Sequence, residues 1–316
     1  MVVTEIDDAH ADLVIAELGR RGVPVARFDP SDFPDRLSMS AYIGDQDDAR
    51  GLLGWLTTPS RVVALNTVRS LYYRRPTTFS FAQLEPQAAR FAAAQARFGL
   101  GGVLASLPGC RYVNHPNAIG DAEYKPVQLA AAVEVGFDVP PTLITSDPAD
   151  AREFVARQPT IYKPLYVGEY ETDDGQAASI WVREVIADEL DDSVGSTMHL
   201  FQGCVDKRAD LRATVIGDEA FCVRIETADP MQIDWRYDYG QLSYTVVRPA
   251  PDLIAAMRAY LKRFGLAFGC FDFALTKEGE PVFLECNPNG QWAWLEDETG
   301  EPMVAAMADL LQGDVR

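Results

Sequence analysis

Two short apolar segments near the C-terminus constrain this chain more than any other feature. They cover residues 270–275 and 281–290, and both have the composition of buried β-strands. The link between them contains Glu278-Gly279. Glycine tolerates positive φ, so this pair predicts a two-residue hairpin turn that joins two antiparallel strands.

The predicted hairpin brings three oxygen-bearing side chains together. Counting back from the turn places Asp272 opposite Glu285, and Asn287 follows two residues later on the same face. Directly opposed side chains lie about 5 Å apart at Cβ, and two carboxylates this close repel each other unless a cation lies between them. Carboxylates hold Mg²⁺ in proteins, with phosphate groups completing its coordination. The trio therefore predicts a magnesium site, and the alternative is a solvated hairpin edge with ordinary surface acids.

Composition and charge exclude several classes of function. The net charge of −19 over 316 residues argues against nucleic acid as a partner. There is no apolar run of about 18 residues, so we expect no membrane span, and the acidic N-terminus does not resemble a signal peptide. Five scattered cysteines without CxxC spacing predict buried free thiols, and hence a cytoplasmic protein.

The pattern of apolar periodicity and breakers predicts an α/β chain with three parts. We expect an N-terminal α/β domain over 1–115, a central lobe over 116–195 and a C-terminal lobe over 196–316. The first part contains expected strands at 2–6, 24–28 and 61–65 and expected helices at 9–21 and 81–97. Further strands are expected at 142–145, 160–163, 179–185, 211–216 and 220–226, and further helices at 126–136, 148–157, 251–264 and 301–311.

An ordered series of polar residues runs through the second and third parts. Lys125 precedes a helix whose first turn contains Pro126, a position that favours phosphate. Lys163 ends a strand, and residues 201–205 form an apolar strap whose backbone suits an adenine edge. Together with Asp272, Glu285 and Asn287, these are the parts that a Mg·ATP pocket requires.

The whole chain resembles the ATP-grasp superfamily, and in particular the ATP-grasp ribosomal-peptide maturases, also called graspetide synthetases or microviridin-type ligases. The resemblance rests on the following segments: 29–34 (DPSDFP), 71–76 (LYYRRP), 207–212 (KRADLR), 234–236 (DWR) and 285–292 (ECNPNGQW). It implies an ATP-grasp fold with an N-terminal pre-ATP-grasp α/β domain. Position 202 is Gln, whereas many ATP-grasp enzymes have Glu there.

The resemblance also implies a reaction. ATP phosphorylates an Asp or Glu side chain of a precursor peptide, and a Ser or Thr hydroxyl or a Lys amine then attacks the acyl phosphate. Asp272, Glu285 and Asn287 would hold Mg²⁺, and the nucleotide would contact Lys125, Lys163, Gln202, Val205 and Lys207. Arg212 and Arg224 would stabilise the phosphate that is transferred.

The remaining implied contacts concern the peptide. Arg236, Arg74 and Asp234 would bind the acidic core, although an ion pair between lobes is an equal alternative for Arg74 and for Arg75. The leader would lie near Asp173-Asp174-Gly175 and residues 187–193, where Glu189 and Asp192 are expected on one helical face. The alternative there is a solvated acidic face.

Two other functions fit the same residues. One is a small-molecule ATP-grasp ligase that joins amino acids, and the other is a nucleotide-binding scaffold without catalysis. The expected partner is a precursor peptide with a leader and an acidic, Thr/Ser-rich core, without nucleic acid or membrane. A homodimer is compatible with the analogy.

Overall fold

The structure is a computed structural model. It describes residues 1–44, 51–166, 170–171, 174, 177–178, 180–228, 235 and 239–313. The described residues form helices packed against several β-sheets, and these elements position every side chain discussed below.

The strands are short in the first half of the chain and longer in the second. In chain order they are β1 Val2–Val3, β2 Arg27–Phe28, β3 Ser38–Ile43, β4 Leu52–Thr57, β5 Val62–Ala64, β6 Ser70–Tyr73, β7 Arg111–Val113, β8 Thr142–Thr145, β9 Thr160–Lys163, β10 Tyr170–Glu171, β11 Ala177–Ala178, β12 Arg183–Val185, β13 His199–Gly203, β14 Lys207–Ile216, β15 Glu219–Thr227, β16 Leu242–Val247, β17 Phe268–Thr276 and β18 Pro281–Asn287. The α-helices are α1 Ala9–Arg20, α2 Pro86–Leu104, α3 Pro116–Ala122, α4 Lys125–Glu134, α5 Pro148–Arg157, α6 Pro251–Phe264, α7 Ala293–Thr299 and α8 Met303–Gln312.

The N-terminal part contains a parallel sheet with the strand order β2-β1-β6-β7. Asp8 caps α1 by accepting hydrogen bonds from the backbone N–H groups of His10 and Ala11, as expected for a carboxylate at a helix N-terminus. The apolar face of α1, including Val14 and Leu18, packs in one hydrophobic core with residues of α7 and α8. The N-terminal part is therefore anchored on the C-terminal end of the chain.

Beside the small sheets β3-β4-β5 and β10-β11, two larger sheets lie mainly in the second half of the described chain. The first has the order β12-β9-β13-β8, and α5 covers one of its faces through Ala151 and Val155, which pack with Phe201. The second has the order β16-β15-β14-β17-β18. Helices α4 and α6 pack on one of its faces, and α7 and α8 pack on the other.

The hairpin formed by β17 and β18 differs from the prediction at its turn. The backbone N–H of Thr276 donates to the carbonyl oxygen of Glu280, so the loop spans three residues and ends at Gly279, whose φ is 93°. The predicted two-residue turn is therefore wrong. Asp272 nevertheless pairs with Glu285, because the partner of Phe273 is Phe283 and Leu284 is left as a β-bulge.

This bulge decides where Glu285 points. Phe283 and Cys286 both belong to the core beneath α4 and α6. In a regular strand Phe283 and Glu285 would share a face, because side chains alternate. The extra residue moves Glu285 to the face of Asp272, so the predicted opposition of the two carboxylates is confirmed through a different route.

Most of the predicted elements form, with different limits in several cases. The predicted bounds of β8, β9, α5 and α6 agree with the structure, whereas the helix expected at 81–97 is α2, which begins at Pro86. The strand expected at 61–65 is β5, whereas its partner strands β3 and β4, the helix α3 and the strand β16 were not predicted. The division into three domains stays a prediction; β13, which follows the expected boundary at 195, pairs with β8 and β9 of the preceding lobe.

Two broader predictions concern cysteines and membranes. All five cysteines are free thiols, as predicted, and three of them are buried: Cys222, Cys270 and Cys286. Cys110 and Cys204 are only partly buried. Within the described part of the chain, no helix has the length and apolar character needed to cross a membrane.

Candidate functional site

The β17–β18 hairpin carries two opposed carboxylates, and each of them contacts a cation from another element. Asp272 accepts a hydrogen bond from Nη1 of Arg212, on the neighbouring strand β14, at 2.6 Å. Glu285 accepts one from Nζ of Lys125, the first residue of α4, at 2.9 Å. Four residues predicted separately as metal-binding, phosphate-binding and catalytic therefore meet at one place.

Arg212 is the most enclosed member of this group. Its Nη2 donates to the carbonyl oxygen of Gln291 at 2.9 Å, and its Nε has no hydrogen-bond partner among the described residues. Burial alone would lower the pKa of Arg212, but the adjacent Asp272 carboxylate raises it above the ordinary value. The guanidinium is thus permanently charged and held rigidly beside Asp272.

Arg224 does not join this group, which corrects the prediction that it acts together with Arg212. In the sheet register Arg224 lies opposite Leu211, whereas Arg212 lies opposite Val223. Directly opposed residues share a face and neighbouring residues alternate, so the two arginines point to opposite faces. Arg224 instead forms an ion pair with Glu226 at 3.5 Å.

The sheet formed by β12, β9, β13 and β8 presents two of the predicted nucleotide contacts on one face. Lys163 pairs with Leu200, and Gln202 pairs with Ile161, so both side chains lie on the face opposite to α5. Gln202 is buried, and its Nε2 donates to Oγ1 of Thr142 at 3.0 Å. Its Oε1 has no partner among the described residues, which leaves a buried acceptor on this face.

The segment between β13 and β14 contains the other two predicted nucleotide contacts. Val205 lies in this connection and is partly buried. Lys207 begins β14, and its Nζ lies 2.7 Å and 2.6 Å from the two carboxylate oxygens of the buried Asp210. Lys207 is therefore paired with a carboxylate on its own strand.

A loop of residues 288–292 follows β18, and side chains from distant segments bind its backbone. Asn114 donates to the carbonyl oxygen of Pro288 at 2.8 Å. Arg74 donates to the carbonyl oxygens of Asn289 and Gly290 at 3.3 Å and 3.0 Å. Arg212 donates to the carbonyl oxygen of Gln291. Nε2 of His10 accepts a hydrogen bond from the backbone N–H of Trp292 at 2.9 Å. The N-terminal part thus fixes the loop adjacent to Asn287.

Arg74 is central to this arrangement and is 1% exposed. Its Nε donates to Asp8 at 3.3 Å, and that carboxylate also accepts a hydrogen bond from Thr4 at 2.7 Å. Burial opposes the charge on Asp8, but Arg74 and Thr4 lower its pKa below the ordinary value. The ion pair of Arg74 lies within the N-terminal part, and its hydrogen bonds to the loop carbonyls connect the lobes. A contact of Arg74 with the core peptide stays a prediction.

The residues predicted to contact the leader are not in one helix, which corrects that expectation. Glu189 ends the short 3₁₀ helix Ala187–Glu189, and Asp192 begins another, Asp192–Ser196. Glu189 forms an ion pair with Arg183 at 2.7 Å. Four predicted residues, Asp173, Gly175, Asp234 and Arg236, lie outside the described residues.

The donor set of Asp272, Glu285 and Asn287 fits a hard cation. It offers two carboxylates and one amide on a single face, which suits Mg²⁺ when phosphate oxygens supply further ligands. Among the described residues, no group of three or more His, Cys, Asp or Glu side chains could hold a metal ion. For a nucleotide, the buried Oε1 of Gln202 fits an exocyclic amine.

Several residues at this site were not singled out from the sequence. His10 and Asn114 hydrogen-bond the loop from more than 150 residues away, for example at a separation of 174 between Asn114 and Pro288, and Asp8 binds Arg74, which contacts the loop. No local pattern marks such contacts. The cavity residue Glu123, described below, was missed as well.

Comparisons with known proteins agree with this architecture. The family model of the MvdD pre-ATP-grasp domain matches residues 1–120. No curated protein matches the chain. Many solved structures are similar to the chain, and three of those that match nearly its whole length follow.

The crystal structure of macrocyclase MdnC from Microcystis aeruginosa MRC, bound with precursor peptide MdnA, has a TM-score of 0.86 at 24% identity, with 98% of each chain covered. A RiPP-associated ATP-grasp ligase from Chryseobacterium gregarium, in complex with ADP and a leader and core peptide, has a TM-score of 0.88 at 23% identity, covering 98% of this chain and 95% of that chain. Macrocyclase MdnB from Microcystis aeruginosa MRC has a TM-score of 0.79 at 26% identity, covering 98% of this chain and 97% of that chain. The chain therefore carries an MvdD-type pre-ATP-grasp domain at its N-terminus and has the ATP-grasp fold of the ribosomal-peptide macrocyclases, which confirms the resemblance predicted from its sequence.

Proposed function

We propose that this protein is an ATP-dependent ligase that closes rings in a ribosomally made precursor peptide. One observation carries the proposal: Asp272 and Glu285 lie opposite each other, and Arg212 and Lys125 contact them. This is an acidic pair for a metal ion surrounded by cations for phosphate. Macrocyclase MdnC, solved with a precursor peptide, and the Chryseobacterium gregarium ligase, solved with a leader and core peptide, support a peptide substrate.

The first step is the transfer of the γ-phosphoryl group of ATP to an Asp or Glu side chain of the peptide. A carboxylate is a weak electrophile, and the acyl phosphate turns one of its oxygens into part of a leaving group. Negative charge develops on the phosphate oxygens, and Arg212 and Lys125 are the described cations placed to stabilise it.

Different residues would bind the metal ion and the nucleotide. Asp272, Glu285 and Asn287 would hold Mg²⁺, which supplies charge neutralisation between phosphate groups. Lys163 and Gln202 line the face of the second sheet that α5 leaves uncovered, and would orient the nucleotide. Arg212 connects Asp272 to the loop of residues 288–292, so its position depends on that loop.

In the second step a hydroxyl or amine of the same peptide attacks the acyl carbonyl carbon, and phosphate leaves. We propose a Ser or Thr hydroxyl as the attacking group, which gives an ω-ester. A Lys amine would give an ω-amide by the same bond changes. Each ring formed corresponds to the loss of one water from the peptide.

The test uses the full-length protein, ATP, Mg²⁺ and a synthetic peptide with the sequence of the precursor. That precursor is sought as a short reading frame beside the gene whose product has a leader and a tail rich in Thr/Ser and Asp/Glu. We expect ADP release that depends on the peptide, and a peptide mass lowered by one water per ring. Asp272→Ala and Arg212→Ala should abolish both changes, whereas Asp206→Ala, at an exposed ion pair with Lys277, should not.

Other outcomes would favour the rival functions. ADP release stimulated by free amino acids without peptide would indicate a small-molecule ligase. ATP binding without ADP production, across precursor candidates and amino acids, would indicate a scaffold. Either result would contradict the proposal.

A further inference from the structure

A cavity of about 600 Å³ lies next to the candidate metal site. Its walls come from three segments: residues 73–76 at the end of β6, residues 116–123 of α3 and its C-terminal end, and residues 287–291. Asn287 forms part of the wall, so a group bound here lies beside the proposed site of phosphoryl transfer. The cavity is large enough for the side chains of one or two peptide residues.

The cavity has an asymmetric charge distribution. Arg74 and Arg75 are its cations, and Arg74 is already bound to Asp8 and to the loop of residues 288–292. The Arg75 side chain is 52% exposed and lies 3.4 Å from Glu5. Glu123 is the one acid among the described residues that line this cavity.

Glu123 has the properties of a proton acceptor rather than of a structural acid. It ends α3 through its backbone, whose N–H donates to the carbonyl oxygen of Ile119. Its carboxylate makes no hydrogen bond or ion pair with the described residues. Glu123 is exposed on the cavity wall, but desolvation by the neighbouring protein atoms raises its pKa above the usual range, so it is a stronger base than a fully solvated glutamate.

The chain places Glu123 close to the reacting groups. Lys125 is two residues further on and contacts Glu285, while Asn287 shares the cavity with Glu123. A nucleophile bound between Glu123 and Asn287 would therefore lie at the edge of the candidate metal site. This is the location that the second step requires, because the nucleophile must reach a carboxyl group phosphorylated at that site.

We propose that this cavity binds the segment of the peptide that carries the attacking hydroxyl, and that Glu123 is the general base for ring closure. The inference rests on the proposed function. As the hydroxyl oxygen forms its bond to the acyl carbon, its proton moves to the Glu123 carboxylate. The bond between that carbon and the phosphate oxygen breaks, and phosphate leaves with its electron pair.

The experiment separates the two chemical steps with hydroxylamine. Hydroxylamine is an uncharged nucleophile near neutral pH, so it traps an acyl phosphate as a hydroxamate without enzymatic proton removal. Wild-type protein and Glu123→Gln are each incubated with ATP, Mg²⁺ and the synthetic precursor, with and without hydroxylamine. The readouts are ring closure and hydroxamate formation, both measured by mass spectrometry.

We expect Glu123→Gln to slow ring closure by about 10²-fold or more, the usual contribution of a general base, while hydroxamate forms at close to the wild-type rate. The rate of ring closure in the wild type should fall at acidic pH as Glu123 becomes protonated, and the variant should lack this decline. Asp121→Asn is the matched control, because Asp121 lies on the same helix but lines a different cavity. It should leave both readouts unchanged.

Ring closure by Glu123→Gln at the wild-type rate would overturn the inference. Equal losses of ring closure and hydroxamate would also overturn it, since they would assign Glu123 to peptide or nucleotide binding instead. Failure of the proposed function has a different signature: the wild type would give neither hydroxamate nor peptide-dependent ADP. That result would contradict the proposed function and, with it, the role of Glu123.

Discussion

Nη1 of Arg74 donates a hydrogen bond to the carbonyl oxygen of Gly290 at 3.0 Å, across a sequence separation of 216 residues. This bond joins the N-terminal part of the chain to the loop that follows the candidate metal ligands. The same loop is held by Arg212, which contacts Asp272. The N-terminal part therefore contributes to the geometry of a site formed mainly by the C-terminal sheet.

Arg74→Lys should weaken nucleotide binding. A lysine can still pair with Asp8, but it lacks the planar guanidinium that reaches both Asp8 and the two loop carbonyls. Loss of charge-assisted hydrogen bonds costs about 2 kcal/mol, or roughly 30-fold in affinity if the loop moves. Isothermal titration calorimetry with Mg·ATP measures this. Arg36→Lys, at an exposed residue, is the control, and an unchanged dissociation constant for Arg74→Lys would contradict the prediction.

Gly290→Ala should destabilise the protein and disturb Arg212. A Cβ at this position would lie 2.5 Å from Cβ of Cys270 and 3.0 Å from Nη2 of Arg212, so the loop or the strand must shift. Overpacking of this kind costs about 1–3 kcal/mol. Gly102→Ala is the matched control, because its Cβ would meet no atom within 4 Å and helical Ala is favoured over Gly. Urea unfolding compares the two variants, and equal stability would refute this account of Gly290.

His10 should make stability depend on pH. Burial, and then the nearby Arg74, lower the pKa of His10 from 6.5 to about 4. Because the pKa of His10 is lower in the folded state than in the unfolded state, keeping His10 neutral costs no stability above pH 6.5. The folded state loses stability relative to the unfolded state as the pH falls from 6.5 towards 4. The shift corresponds to about 3 kcal/mol. His10→Gln retains an acceptor for the backbone N–H of Trp292 but does not titrate.

The measurement for His10 is the free energy of unfolding in urea at several pH values between 7 and 4. Carboxylates that titrate in the same range contribute equally to the wild type and to His10→Gln, so the difference between the two curves isolates His10. The wild type should lose more stability than the variant on acidification. Parallel curves would show that protonation of His10 is not coupled to folding.

Asp272→Asn should raise the Mg²⁺ concentration required for nucleotide binding. The substitution removes one anionic ligand from the proposed metal site and leaves the buried Arg212 without its counter-ion. We expect the half-saturating Mg²⁺ concentration to rise at least about tenfold. A titration of Mg²⁺ at fixed ATP, followed by calorimetry, measures the change. The control is Asp206→Asn, in an exposed ion pair, which should not change the Mg²⁺ requirement. An unchanged Mg²⁺ requirement in Asp272→Asn would show that Asp272 is not a metal ligand.

Part of the site follows from local sequence. The apolar runs that flank Asp272 and Glu285 predict two buried strands, and Pro126 marks the beginning of α4, so Lys125 could be placed at a helix N-terminus. Such predictions succeed because backbone periodicity and capping depend on neighbouring residues only. The ATP-grasp fold was likewise predicted from an ordered series of short segments.

Other features depend on contacts that no local pattern specifies. The bulge at Leu284, not the turn, places Glu285 opposite Asp272, because Phe283 and Cys286 must both reach the core. Sheet register, rather than residue type, separates Arg224 from Arg212. The sequence alone determined the fold class and the chemical types at the site. Only the tertiary structure decided that Arg74 binds Gly290 and that Glu123 and Asn287 line one cavity, because residues distant in sequence meet only when the lobes pack together.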